Sequence, residues 1–264
     1  MKTPITYYGG KQLLASTIVS MIPEHRIYCE PYFGGGAVFF SKEPSYLEAI
    51  NDLNDRLMIF YDCLRTRYNE LNELIQGTLN SEYQHRRAKE IYYGVREASD
   101  VEIAWSVWVV MSLSFAATPR GGWKWSNGST GSHTGRMVAH HRERFTEALS
   151  ERLKYVQISS RPAIKVIKER DTEGSFFYLD PPYPGCNQKH YSGFTDEDLA
   201  ELLDELEGLK GKFILSNYGR DCLMERIQKC NWHYKVIDMP LKCANFNGKN
   251  RRKQEIIVWN YTAE

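Results

Sequence analysis

The chain has 264 residues, of which 42% are hydrophobic and 13% aromatic, and its formal net charge is +1. This composition excludes a disordered chain, a collagen-like repeat and a coiled coil, and the length suits one domain or one core with a large insertion. A total charge so close to zero gives no overall electrostatic indication of a nucleic-acid partner.

Neither a membrane span nor a secretory signal is predicted. The longest apolar stretch, residues 104–117, is shorter than the roughly 18 residues that a spanning helix needs, and the N-terminus lacks the apolar core of a signal peptide. The six cysteines form no C-x-x-C pair, and their spacing from histidines matches no zinc site. We therefore expect a cytoplasmic protein with reduced thiols, no metal and no membrane partner.

The first part of the chain predicts the beginning of a doubly wound sheet. A strand at residues 27–30 precedes a glycine-rich turn, residues 37–40 suit the first turn of a helix, and residues 46–51 form a second strand before an acidic turn. Strand, glycine turn, helix, strand and acid in this order are typical of nucleotide-binding α/β folds.

The middle of the chain predicts an inserted region at residues 56–160. Residues 118–135 contain six Gly or Pro residues and two Trp, which indicates a hairpin or loop. Helical periodicity appears in four stretches, at residues 56–80, 83–97, 101–113 and 140–153.

Alternation of strands and helices resumes in the second half. The apolar run at residues 175–179 suits a buried parallel strand, and Thr195 with Asp198 forms a capping box that opens a helix. Further elements are predicted at residues 213–216, 221–229, 234–238 and 255–259. The predicted fold is therefore α/β, a Rossmann-like sheet built from residues 1–55 and 161–264 and interrupted by the insertion.

Two motifs after the predicted strands suit a ligand but have structural explanations as well. The run Glu30-Pro31-Tyr32-Phe33-Gly34-Gly35-Gly36 would let the backbone approach a ligand closely, yet a tight turn explains its glycines equally well. Its spacing is not G-x-G-x-x-G, which weakens a nicotinamide-cofactor interpretation. Asp52 could accept hydrogen bonds from both hydroxyls of a ribose, although aspartate is also an ordinary turn residue.

Lys11 follows two glycines without the rest of a phosphate loop, so it either stays solvated or pairs with a carboxylate.

The most specific motif is Asp180-Pro181-Pro182-Tyr183, directly after the buried strand. The two prolines stiffen the backbone and remove two N–H donors, so the Asp carboxylate and a fixed carbonyl remain as acceptors beside an aromatic ring. An exocyclic amine needs two acceptors for its hydrogens and a surface on which its base can stack. The carboxyl end of a strand is also where open α/β sheets bind ligands.

Taken together, these motifs resemble the Dam-like, or D12, class of DNA adenine-N6 methyltransferases. Residues 7–11 resemble the amino-terminal cofactor motif of that family, and residues 30–36 resemble its E-P-F-x-G-x-G motif with Tyr32 in place of Phe. Asp52 and Asn54 resemble its D-x-N element, and residues 180–183 are its catalytic D-P-P-Y. The order of the motifs also matches, and the resemblance covers about residues 1–60 and 150–264.

The resemblance implies methyl transfer from S-adenosylmethionine to adenine N6 in double-stranded DNA, with the target base flipped out of the duplex. It implies a catalytic group in which Tyr183 stacks on the base while Asp180 and the Pro181 carbonyl accept the N6 hydrogens. The residues implied to bind the cofactor are Tyr7, Lys11, Glu30, Phe33, Gly34, Gly36, Asp52 and Asp180, and the catalytic residues are Asp180, Pro181, Pro182 and Tyr183.

The resemblance ends in the inserted region, which lacks the N-G-x-x-R and F-N-V-P-F-G elements of the family, so its target sequence is not carried over. Between residues 120 and 161, eight Lys and Arg face three acids, a local balance of +5 within a nearly neutral chain. Basic residues interleaved with Trp in a loop suit DNA contact, although a solvated helix face explains them as well. The residues predicted to bind DNA are Arg120, Trp123, Lys124 and Arg136, with a second basic cluster at residues 249–253.

Other functions remain open at this point. A cytosine-N4 or RNA adenine methyltransferase would use much the same core, and a catalytically silent DNA-binding module would keep the basic region. The seven acids at residues 196–207 are expected to face away from DNA. We expect a monomer or a weak dimer.

Overall fold

The computed structural model describes residues 1–7, 9–128, 133–184, 193–240 and 252–262. Within these ranges, one seven-stranded sheet forms the centre of the molecule. Its strands are β1 Ile27–Glu30, β2 Leu47–Asn51, β3 Gln157–Ser159, β4 Ser175–Leu179, β5 Lys212–Asn217, β6 His233–Pro240 and β7 Arg252–Trp259.

The order of the strands is β3-β2-β1-β4-β5-β7-β6. Strands β1 to β5 are parallel, and β7 inserts antiparallel between β5 and β6. From β1 the chain proceeds outward to β2 and β3, then returns to β4 on the other side of β1. The carboxyl ends of β1 and β4 therefore border the crevice at which a Rossmann-like sheet binds its ligand.

Helices cover both faces of the sheet. They are α1 Ala15–Met21, α2 Asp55–Thr66, α3 Tyr68–Gln76, α4 Glu82–Tyr92, α5 Asp100–Leu113, α6 Thr134–Glu143, α7 Glu147–Leu153, α8 Ala163–Arg170, α9 Asp196–Glu207 and α10 Asp221–Cys230. The larger core joins one face of the sheet to α2–α7, and the smaller core joins the other face to α8, α9 and α10. Helix α5 packs against α2, α3 and α4, which explains why it is apolar on every side. None of the helices in the described ranges has the length and apolar character that a membrane span requires.

Most predicted elements are present, but four were predicted with wrong bounds. The helix predicted at residues 83–97 ends already at Tyr92. The turn at residues 37–40 is not α-helical, because only a short 3-10 helix, Phe39–Ser41, follows the glycines. The helix at residues 56–80 is interrupted at Arg67, where φ is −134°, and so becomes α2 and α3. The helix at residues 140–153 is likewise two helices, α6 and α7, and α6 already begins at Thr134.

The sequence prediction omitted α1, β3 and α8, which are all short. Strand β3 has three residues and pairs in parallel with β2, so this part of residues 56–160 contributes to the sheet. The capping box that opens α9 is confirmed, since Thr195 and Asp198 exchange their hydrogen bonds.

Candidate active site

Lys11 and Asp180 form a buried ion pair at the crevice. The Nζ atom of Lys11 lies 2.6 and 2.7 Å from the two carboxylate oxygens of Asp180, which directly follows β4. The same Nζ atom lies 3.2 Å from Oε1 of Glu255 on β7. The side chains of Lys11, Asp180 and Glu255 are only 7%, 20% and 1% exposed. Of the two interpretations that the sequence left open for Lys11, the structure shows pairing with a carboxylate.

Tyr183 completes this group. Its hydroxyl donates to Glu255 Oε1 at 2.8 Å and lies 3.1 Å from Asp180 Oδ1, and its ring centroid lies 5.0 Å from Lys11 Nζ. The ring of Tyr218, which follows β5, packs edge-on at 4.4 Å and fixes the orientation of the Tyr183 ring. Asp180 and Tyr183, predicted from one short motif, thus lie together, joined by Pro181, which is buried, and Pro182, which is half-buried.

Sequence reasoning missed Glu255 and Tyr218 as members of the site. The signal for Glu255 was available, since it is the one acid in an apolar run, Glu255-Ile256-Ile257-Val258-Trp259, that forms a buried strand. A carboxylate is rarely buried unless it is paired, so an acid in such a run indicates a partner. No local pattern distinguishes Tyr218 from other loop tyrosines.

The charges of the group do not cancel. Burial alone would lower the pKa of Lys11, but the carboxylates of Asp180 and Glu255 outweigh it and raise that pKa, so the ammonium stays charged. Burial raises the pKa of Asp180, Lys11 opposes the shift and Glu255 adds to it. Among the described residues of this group, two carboxylates therefore share the Lys11 ammonium.

Glu30 ends β1 beneath this group and is fully buried. The hydroxyl of Tyr28 donates to its carboxylate, but burial dominates and raises the pKa of Glu30 to about 8. Glu30 is therefore mostly protonated at neutral pH, so it supports the site as a neutral hydrogen-bonding group.

The raised pKa of Glu30 predicts a stability that depends on pH. Because protonated Glu30 is favoured in the folded state, its contribution is complete below about pH 4.5 and is lost as pH rises towards 8. Glu30→Gln should match the parent near pH 4.5 and exceed its free energy of unfolding by a few kcal/mol near pH 9. Urea unfolding at both pH values measures this, and a difference that does not change with pH would contradict it.

The glycine turn and Asp52 form a second, adjacent group. Asp52 Oδ2 accepts a hydrogen bond from the Gly34 backbone N–H at 2.9 Å, and its Oδ1 accepts one from the Asn54 N–H at 3.0 Å. The Tyr7 ring packs over this turn, since a Cβ atom on Gly34 would lie 3.2 Å from it. Phe33 lies below, with its ring buried among those of Phe39, Phe40 and Tyr61. Asp52 thus connects β2 to the glycine turn.

Gly36 is required by the packing of this turn. Its φ is +65°, and a Cβ atom there would lie 2.5 Å from Phe33 Cζ. Gly36→Ala should therefore lower the free energy of unfolding by about 2 kcal/mol or more. The matched control is Gly122→Ala, because a Cβ atom at Gly122 meets nothing within 4 Å. Urea unfolding of both variants is the measurement, and equal effects would contradict the packing argument.

The residues predicted to bind DNA lie between α5 and α6 or on α6. Arg120 and Arg136 are exposed, whereas Lys124 is half-buried, which lowers its pKa. The indole N–H of Trp123 donates to Asn80 at 2.8 Å, and its ring packs against the larger core, so Trp123 anchors this segment. Within the predicted cluster at residues 249–253, no side chain is among those that the structure describes.

Exposed aromatic rings accompany these basic residues. Trp125 is 64% exposed, and Phe115 is 70% exposed beside Ala116 and Ala117, which both have left-handed backbone. On the other face of the sheet, three acids of α9 pair with bases on α10 or directly before it. The pairs are Asp196–Arg220, Asp204–Arg226, Glu207–Arg226 and Glu207–Lys229.

The two groups fit S-adenosylmethionine, the cofactor that the sequence resemblance implies. In the part of the crevice that the structure describes, two carboxylates lie beside one ammonium, which suits a ligand that carries a sulfonium and an ammonium group. Asp52 adds a buried carboxylate at the end of the neighbouring strand, where a ribose lies in nucleotide-binding sheets. The aromatic rings of Tyr7 and Tyr183 border the same crevice.

Comparisons with known proteins found a matching family model and similar curated proteins. Residues 7–239 match the family model described as D12 class N6 adenine-specific DNA methyltransferase. The type II methyltransferase M1.LlaDCHI of Lactococcus lactis subsp. cremoris is 27% identical over 274 residues, covering 96% of this chain and 93% of that protein. The type II methyltransferase M.MjaIII of Methanocaldococcus jannaschii is 25% identical over 300 residues, covering 99% of each.

Proposed function

The chain belongs to the D12 class of N6 adenine-specific DNA methyltransferases, and from this premise we propose that it is a site-specific enzyme that methylates adenine N6 in double-stranded DNA with S-adenosylmethionine. The observation that supports the proposal most strongly is the buried group of Lys11, Asp180 and Tyr183 at the carboxyl end of β4. It places an acceptor and an aromatic ring side by side, as recognition of an exocyclic amine requires.

Asp180 and Pro181 would hold the reacting nitrogen. The Asp180 carboxylate and the Pro181 carbonyl accept the two N6 hydrogens and leave the nitrogen lone pair directed at the methyl group. Lys11 holds the Asp180 carboxylate in place, and Tyr183 stacks on the adenine ring. The base must leave the duplex to reach these groups, because its N6 atom is enclosed by pairing and stacking.

The cofactor would be held by both groups of the site. When bound, S-adenosylmethionine supplies a methyl group that is already activated by its positive sulfur. Asp52 would accept hydrogen bonds from the ribose. Tyr7, Lys11 and Asp180 would border the rest of the cofactor. The Gly34–Gly36 turn, Phe33 and Glu30 would lie beneath the cofactor. The protein mainly orients the reactants, an effect worth at most about 7–11 kcal/mol.

The inserted region, residues 56–160, would recognise the DNA. Its exposed Arg120 and Arg136 suit phosphate contacts, Lys124 lies beside them, and Trp123 holds the segment in place. We propose that the enzyme acts as a monomer or weak dimer. It would act in the cytoplasm, which is the location expected from the sequence.

The test is transfer of labelled methyl groups from S-adenosylmethionine to DNA, RNA and protein offered separately. Label should enter unmethylated duplex DNA, and RNA and protein should remain unlabelled. Label in protein alone, or in RNA alone, would overturn the proposal.

A further inference from the structure

Glu255 is a buried acid for which the proposed reaction has no role so far. Its side chain is 1% exposed, and the residues that follow it along β7 are apolar. Burial of an ionised carboxylate costs several kcal/mol unless partners compensate. The contacts of Glu255 should therefore indicate why an acid occupies this position.

Those contacts lead directly to the catalytic motif. Glu255 Oε1 accepts from the Tyr183 hydroxyl at 2.8 Å and lies 3.2 Å from Lys11 Nζ. The same two donors contact Asp180, at 3.1 Å from Tyr183 and at 2.6 and 2.7 Å from Lys11. Lys11, Asp180, Tyr183 and Glu255 thus form a closed ring of contacts in which two acids share two donors.

This sharing determines how many acceptor positions Asp180 keeps for a substrate. A carboxylate offers about four such positions. Lys11 and Tyr183 both contact Oδ1, and Lys11 also contacts Oδ2. A phenol has only one hydrogen, and the shorter distance directs it to Glu255. Each donor that hydrogen-bonds to Glu255 leaves an acceptor position on Asp180 available for a hydrogen of the amine.

We propose that Glu255 is a positioning residue of the methyl-transfer site, which holds the Tyr183 hydroxyl and shares Lys11 so that Asp180 stays available to the exocyclic amine. This inference depends on the proposed function. It assigns to β7, the antiparallel strand between β5 and β6, a part in a reaction that the sequence motifs attribute to the end of β4.

Removal of the Glu255 charge should change the pH dependence of the reaction, which substitution of a purely structural residue would not do. Glu255 raises the pKa of Asp180, so removal of its charge should lower that pKa. Methyl transfer requires ionised Asp180. The acid limb of the pH–rate profile, where the rate falls as Asp180 becomes protonated, should therefore move to lower pH when the charge of Glu255 is removed. The titratable groups that surround Asp180 are Lys11, Glu30, Tyr178, Tyr183 and Glu255.

Two substitutions separate the effect of the Glu255 charge from the effect of its side-chain length. Glu255→Gln keeps an acceptor near Tyr183 but removes the charge, whereas Glu255→Asp keeps the charge but withdraws it from the Tyr183 hydroxyl. Tyr178→Phe is the matched control, because Tyr178 is a buried phenol on β4 that bonds Ser216 at 3.1 Å, outside the ring of contacts.

The rate of single-turnover methylation of unmethylated duplex DNA is measured from pH 5 to 9. Titration of Asp180 is followed independently in the ligand-free protein by carboxyl 13C NMR, with Asp180→Asn to assign the signal. We expect Glu255→Gln to shift both titrations to lower pH and to reduce the maximal rate about tenfold to a hundredfold. Glu255→Asp should reduce the maximal rate without moving the acid limb of the pH–rate profile. Tyr178→Phe should leave the acid limb at the pH found for the parent.

An unshifted acid limb and an unshifted NMR titration in Glu255→Gln would overturn the inference, as would a parental rate in both Glu255 variants. If the parent itself transfers no methyl group to DNA, the proposed function fails. The NMR titration would still show whether Glu255 controls Asp180.

Discussion

Asp180→Ala should abolish methyl transfer to DNA and still give a folded protein. The loss should be at least about a thousandfold, because the variant lacks the carboxylate that accepts the N6 hydrogen and directs the nitrogen. Folding should survive because Lys11 keeps a second carboxylate, Glu255, at 3.2 Å. The single-turnover rate measures the first expectation, and circular dichroism with urea unfolding measures the second.

Asp180→Asn is the companion variant. It retains the size of the side chain but replaces one acceptor oxygen with a donor that faces both Lys11 and the substrate amine. It should therefore be nearly as inactive as the alanine variant. Normal methylation by either folded variant would remove Asp180 from the reaction.

Lys11→Met should destabilise the protein more than any substitution of Asp180 does. Methionine is close to lysine in length, but without the ammonium the buried Asp180 and Glu255 share no cation. A buried charge left without its partner costs about 3–5 kcal/mol. The free energy of unfolding of this variant should also fall further as pH rises, because it is the ionised carboxylates that lack compensation.

A double-mutant cycle isolates this effect. Lys11→Met combined with Asp180→Asn leaves only one of the two carboxylates, so it should recover part of the stability that Lys11→Met loses. Urea unfolding of the two single variants and the double variant provides the comparison. Additive losses, or a Lys11→Met variant as stable as the parent, would contradict the interpretation that two acids depend on one cation.

Local patterns allowed much of the sheet to be predicted from the sequence. Strand β1 was predicted at its observed bounds because a glycine turn follows it, and β4 because a five-residue apolar run is typical of a buried strand. The α9 capping box was equally readable. Strand β3 has three residues and α8 has eight, too few for a periodicity to emerge.

The site was predictable where its residues belong to short sequence motifs. Asp180 and Tyr183 lie in one motif, but Glu255 is 72 residues beyond Tyr183 and reaches it only because β7 inserts beside β5. No pattern along the chain encodes that insertion. Trp123 was predicted to contact DNA from the composition of its loop, and that remains a prediction. Only the structure shows that its indole N–H donates to Asn80.

The structure also explains why the near-zero net charge of the chain gives no information about DNA binding. The basic region at residues 120–161 is balanced along the chain by the seven acids of α9. Four of them, Asp196, Asp204, Glu205 and Glu207, form ion pairs with bases on α8, on α10 or directly before α10. The total charge therefore describes ion pairing on one face and says little about the surface that meets DNA.

The most direct test of the account is the identity of the methylated nucleoside. Duplex DNA methylated by the parent enzyme is digested to nucleosides and analysed by mass spectrometry. The arrangement of Asp180, Pro181 and Tyr183 predicts N6-methyldeoxyadenosine, which should be absent after incubation with Asp180→Ala. N4-methyldeoxycytidine as the product, or the same yield from both proteins, would contradict it.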